Sequence, residues 1–206
     1  MKIKFCGIKR EEDIAYLNEF LPDYAGFVFA GQKRRVSKQR AADLTALLDS
    51  RVKKVGVFVN ESPQEIVETV HAAGLDVVQL HGDETADDVR RLRQLLPGIK
   101  FWKAVRVKNA ESIANALTVG ADLLLLDSFA PGVYGGTGKT ANLKVIRSAN
   151  LTVPFFLAGG LNCNNLANIL EQIAPYGVDI SSGIETNGVK DRDKMKKMME
   201  IVRTNA

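Results

Sequence analysis

Apolar residues gather in eight short runs along the chain, and each run is followed by a segment whose apolar positions recur at helical spacing. The runs are IKFCGI (3–8), AGFVFA (25–30), KVGVFV (54–59), DVVQLHG (76–82), KFWKAVRV (100–107), DLLLLDS (122–128), PFFLAGG (154–160) and VDISSGI (178–184). They are nearly continuous in hydrophobicity, as strands of a parallel sheet must be when both faces are covered. The helical segments read REEDIAYLNEF, SKQRAADLTALLDS, SPQEIVETVHAAG, ETADDVRRLRQLL, NAESIANALTVG, NLKVIRSA, NCNNLANILEQIA and KDRDKMKKMMEIVR. Ser62 before Pro63, with Glu65 three residues on, predicts a capping box, and Gly74 and Gly120 sit where helices end. Eight strand–helix units without a visible linker predict an α/β fold, a single-domain (β/α)8 TIM barrel over residues 1–206. A doubly wound open sheet is the alternative.

Composition narrows the function classes. A chain of 206 residues, 46% hydrophobic and 25% charged, can bury one sizeable core. No apolar stretch approaches the roughly 20 residues of a membrane span, and MKIKFCGIKR lacks a signal peptide's apolar region. The expectation is therefore a cytoplasmic protein without a membrane partner. Cys6 and Cys163 form neither a disulfide framework nor a zinc spacing. The net charge of +4 comes from basic residues interleaved with acidic ones, as in KDRDKMKKMME, which reads as solvated helix face rather than a nucleic-acid surface. A small anionic substrate stays open.

Barrel chemistry sits at the C-terminal ends of the strands. Cys6 falls there after the first strand, Arg34 after the second, Gln79 and His81 at the fourth, Asp127 at the sixth, Gly159 and Gly160 at the seventh, and Ser181, Ser182 and Gly183 at the eighth. A free cysteine is commonly a small buried hydrophobe, and the shared placement of these residues favours a reactive Cys6 instead. The AGG and SSG turns, with LNCNN opening a helix, resemble a phosphate cradle of close backbone and unpaired N–H groups. YGGTGKT (134–140) lacks P-loop spacing and reads as a Gly-rich lid, with Gly136 a candidate substrate contact. Asp127 after four leucines either caps its loop or, with a pKa raised by partial burial, acts as a general acid. Arg34 is either a surface charge or a bidentate carboxylate grip, and His81 either a structural imidazole or a site residue.

Taken together, KFCGIKR, GFVFA with KRRVS, VGVFVN, VQLHGDE, LLLDS, GGTGKT, LAGGLN and DISSGIE resemble the phosphoribosylanthranilate isomerase family over essentially the whole chain. The resemblance implies a (β/α)8 fold and an Amadori rearrangement of N-(5-phosphoribosyl)anthranilate in tryptophan biosynthesis, with no cofactor or metal and with a small-molecule substrate as partner. It places the general-base cysteine on Cys6, the general-acid aspartate on Asp127 and the carboxylate-binding arginine on Arg34. The loop before RVS is one residue shorter than in many members, which makes Arg35 the alternative. Cys163 stands where proline is more usual. A monomer and a homodimer both fit. Lys4, two residues before Cys6, should face the same side and could tune the thiol. Rival readings are another phosphosugar isomerase and a non-catalytic phosphometabolite-binding barrel. A ribosyl-imidazole isomerase would be expected to carry two aspartates, one in place of Cys6.

Overall fold

The computed structural model describes residues 1–127 and 141–204. Eight parallel strands close into a barrel in chain order: β1 (Lys2–Cys6), β2 (Tyr24–Val28), β3 (Lys53–Phe58), β4 (Val77–Leu80), β5 (Lys100–Arg106), β6 (Leu123–Asp127), β7 (Phe155–Ala158) and β8 (Gly177–Ile180). Around them run α1 (Glu11–Phe20), α2 (Lys38–Ala46), α3 (Pro63–Ala73), α4 (Ala86–Leu95), α5 (Ala110–Leu117), α6 (Ala141–Ser148), α7 (Leu166–Leu170) and α8 (Arg192–Thr204). The open-sheet alternative is thereby excluded, since β1 pairs with both β2 and β8. Among the described residues no helix is long and apolar enough to cross a membrane.

Strand alternation splits the core in two. One set of side chains faces the helices, and the other fills the barrel axis, where Val55, Val77, Trp102, Leu123, Leu125 and Phe156 form an apolar plug. Tyr24, Trp102 and Phe156 meet there with ring centroids 4.9 to 5.7 Å apart. Above this plug the axis turns polar, with Lys4 and Gln79 fully buried beside Asp179. That change of character sets the floor of the site.

Three local expectations are corrected. Ser62 caps α3 by accepting from Glu65 N–H, but its own N–H donates to the Glu61 carboxylate, so only one arm of the expected box forms. The helix expected over 162–174 contracts to Leu166–Leu170. Its asparagine-rich start folds on itself, because Asn165 and Asn162 side chains accept from the N–H groups of Asn162 and Asn164. Finally, the segment after β8 forms a 3-10 turn (Ser182–Ile184) and a small hairpin of β9 (Glu185–Thr186) and β10 (Val189–Lys190). Asn187 and Gly188 at its tip both have positive φ, 52° and 79°, as a two-residue Asn-Gly turn requires. Gly136 and the Gly-rich segment 134–140 lie outside the described residues.

Candidate active site

Lys4 and Cys6 occupy alternate positions of β1, so both side chains face the axis. Cys6 pairs across to Gly26 of β2. A Cβ on Gly26 would lie 2.7 Å from the thiol sulfur and 3.0 Å from Lys4 Cε, so the missing side chain is the space that the thiol and the lysine share. Burial pushes the Cys6 thiol above its ordinary range, and the cations of Lys4 and Lys190 pull it the other way.

The Lys4 ammonium is fully buried, where an unpaired charge would cost several kcal/mol. It is compensated on two sides, donating at 2.9 Å to Gln79 Oε1 and at 2.9 Å to Asp179 Oδ2. Burial alone would lower its pKa, and the attraction of Asp179 and Cys6 outweighs that penalty, so the net direction is up. Gln79 turns its amide nitrogen toward His81 Nδ1 at 3.3 Å. Burial, and then the Lys4 charge, hold His81 below its usual range.

Arg34 reaches the rim from the loop after β2, its stem lying over Gly7, where a Cβ would collide with it. Its Nε and Nη2 each donate at 2.7 Å to the Glu185 carboxylate, which also accepts at 2.9 Å from Lys190 Nζ. Burial acts against the charge on Glu185, yet Arg34 and Lys190 hold its carboxyl down to about 2. Arg35 goes elsewhere, to a groove with Phe29, Phe58 and Glu61 on the far side of the loop.

The loops after β7 and β8 supply a wall of backbone. Gly159 and Gly160 adopt φ of 95° and 63°, which favour glycine and bring the main chain to the cavity. Gly183 packs against the backbone of Leu161, and a Cβ there would fall on the Leu161 carbonyl oxygen. Ser181 is partly committed, since its hydroxyl donates to the Cys6 carbonyl at 3.1 Å. The structure therefore gathers Cys6, Arg34, Gln79, His81, Asp127, Gly159, Gly160, Ser181 and Ser182 around one cavity of about 530 Å³. Gly183 lies just behind it, lining a neighbouring cavity.

Cys163 is not in this group. It lines that neighbouring cavity with Lys194 and Lys197, and its thiol donates to the Lys194 carbonyl at 3.7 Å. No helix N-terminus favours its thiolate, since α7 begins only at Leu166, and burial pushes the Cys163 thiol up. Residues that sequence reasoning missed are Asp179, Arg106, Glu185 and Lys190. Arg106 was recoverable, because Trp102, Ala104 and Arg106 share the inward face of β5 and its end is at the mouth. Glu185 and Lys190 needed the Asn-Gly hairpin to be recognised first.

A closed barrel whose cavity opens at the C-terminal ends of its strands places this chain among the (β/α)8-barrel enzymes. A model of the N-(5′-phosphoribosyl)anthranilate (PRA) isomerase family matches residues 3–201. The chain belongs to this family, and it is an isomerase. The N-(5′-phosphoribosyl)anthranilate isomerase of Thermoanaerobacter pseudethanolicus is 44% identical over 203 residues, covering 98% of each chain. Among solved structures, the phosphoribosyl anthranilate isomerase of Thermotoga maritima superposes with a TM-score of 0.89 at 32% identity over 99% of both chains. Another phosphoribosyl anthranilate isomerase, in complex with reduced 1-(o-carboxyphenylamino)-1-deoxyribulose 5-phosphate, gives 0.83 at 32% identity, again over 99% of both.

Proposed function

We propose that residues 1–206 form one cytoplasmic catalytic unit that converts N-(5-phosphoribosyl)anthranilate to 1-(2-carboxyphenylamino)-1-deoxyribulose 5-phosphate by an Amadori rearrangement in tryptophan biosynthesis. The observation that carries this reading is the shared cavity: Cys6 and Asp127 line it together, with Arg34 at its rim and the glycine and serine loops of β7 and β8 in its wall. Its volume of about 530 Å³ lies within the range for small-molecule sites.

In the first step the Asp127 carboxylic acid protonates the ribose ring oxygen, the C1′–O bond breaks, and the anthranilate nitrogen forms a protonated Schiff base with C1′. The Cys6 thiolate then takes the C2′ proton, and the electron pair flows to the iminium to give an enolamine. Loss of the C2′ hydroxyl proton and gain of a proton at C1′ yield the ketone, so the whole is an isomerisation. One acid and one base suffice. The two anionic ends of the substrate hold the sugar between them.

The phosphate is assigned to the backbone amides of Gly160, Ser182 and Gly183, rather than to the N–H groups of Asn162 and Asn164, which already donate to asparagine side chains. The carboxylate is assigned to Arg34. Glu185 occupies its Nε and Nη2 edge, and a guanidinium keeps further donors on Nη1 for a second planar anion. Arg34→Ala should therefore raise KM about tenfold with little change in kcat, corresponding to roughly 1.4 kcal/mol of lost interaction. Arg35→Ala should leave KM unchanged; steady-state kinetics showing the reverse pattern would move the contact to Arg35.

Incubating the protein with freshly made phosphoribosylanthranilate and following the loss of its fluorescence tests the reading as a whole. Turnover is the expected result. Binding without turnover would favour a phosphometabolite sensor.

A further inference from the structure

The base in the proposed mechanism must be a thiolate, but an ordinary thiol near pKa 8.5 is mostly protonated at neutral pH, and burial makes this worse. Something at the site has to offset that. The barrel axis directly below Cys6 carries a buried charge pair that the reaction scheme leaves unused.

Resting on the reading of Cys6 as the base, we infer that Lys4 is a positioning residue for it: its buried ammonium stabilises the thiolate, while Gln79 and Asp179 hold that ammonium under the sulfur. Four observations support this. Lys4 and Cys6 share the inward face of β1, and their side chains meet at one point over Gly26, 3.0 and 2.7 Å from where its Cβ would stand. The Lys4 ammonium has no exposure, so its field is little screened by water. It is held from β4 and from β8 at 2.9 Å each, which leaves it little freedom to swing away. Asp179, nine-tenths buried, satisfies Lys4 through Oδ2 alone; among the described residues its Oδ1 has no hydrogen-bond partner.

A buried lysine is an expensive way to fill a barrel, since a well-packed apolar group of similar size is often neutral or better for stability. A charge retained there, one layer under a thiol, is suited to chemistry. Other charged groups also face Cys6. Lys190 from β10 supports the thiolate and Asp179 from β8 opposes it. Arg34, on the loop after β2, interacts with the thiol and is largely neutralised by Glu185. Lys4 and Asp179 thus act on the sulfur with opposite signs, and this makes the inference testable.

The experiment titrates Cys6 in a Cys163→Ser background, so that a single thiol is read, by thiolate ultraviolet absorbance and by the rate of iodoacetamide alkylation against pH. Lys4→Met should move the midpoint up by at least about one pH unit and slow alkylation at neutral pH about tenfold, the low end for removing an opposite charge within a few ångströms. It should lower kcat with KM nearly unchanged. Asp179→Asn is nearly isosteric and leaves Lys4 held by Gln79, so it should fold; its midpoint should move down. A merely structural pair would move neither midpoint, or both in the same direction, and either result overturns the inference. Should Lys4→Met not fold, the direction of the Asp179→Asn shift decides alone. Failure of the underlying reading looks different: Cys6→Ser would then turn over normally, whatever the titrations show.

Discussion

Cys6→Ala and Asp127→Asn should each lower kcat by at least about 10²-fold, the low end for removing a positioned proton-transfer group. The loss falls on kcat rather than KM because neither residue is assigned to an anionic end of the substrate; both act on the sugar, where bonding changes only in the transition state. Both variants should stay folded. Cys6→Ala removes one atom from the wall of an existing cavity, and Asp127→Asn keeps the shape of a side chain at a strand end. Steady-state kinetics with circular dichroism as a fold control reads the outcome. A near-normal kcat in either variant removes that residue from its role.

Gly183→Ala should be nearly as damaging for a different reason. Its added Cβ falls on the Leu161 carbonyl oxygen, a backbone atom that cannot rotate away as a side chain would. The loops after β7 and β8 must then separate. Both are assigned to the phosphate, and a shift of about 1 Å at a binding group can cost about 10²-fold in rate. We expect kcat/KM to fall by about that factor, and inorganic phosphate to be a weaker competitive inhibitor of the variant than of the wild type. By contrast, Gly98→Ala, with nothing near its Cβ, should leave both unchanged although its φ of 89° costs stability. If Gly183→Ala binds and turns over normally, the loop contact is not part of the site.

The barrel was legible because its strands are short, apolar and evenly spaced, and every one of the eight runs overlaps an observed strand. The placement of Cys6, Arg34 and Asp127 at one cavity was legible for a related reason, since Cys6 and Asp127 end recognisable strands and Arg34 lies in the loop after one. Lys4 was legible only as a direction. Alternation put it on the side of Cys6, but its partners come from β4 and β8, 75 and 175 residues away, and no local pattern announces them. Asp179 hid inside VDISSG, where a single carboxylate in an apolar run reads as part of the strand. The phosphate helix was misjudged because asparagine was read as a helix opener. Three of the four residues over 162–165 are asparagines, and their side chains compete for the very N–H groups that an anion would need.

The paired turnover of Cys6→Ser and Cys163→Ser on phosphoribosylanthranilate tests the central claim most directly, because each variant replaces one thiol by a hydroxyl of similar shape. A serine hydroxyl is a far poorer base at neutral pH, whereas Cys163 lines a neighbouring cavity that neither Cys6 nor Asp127 lines. Cys163→Ser should retain more than about half of the wild-type kcat/KM, a loss below roughly 0.4 kcal/mol, and Cys6→Ser should be severely impaired. An inactive Cys163→Ser beside a fully active Cys6→Ser would make the thiol of KFCGIKR mere packing and contradict the mechanism.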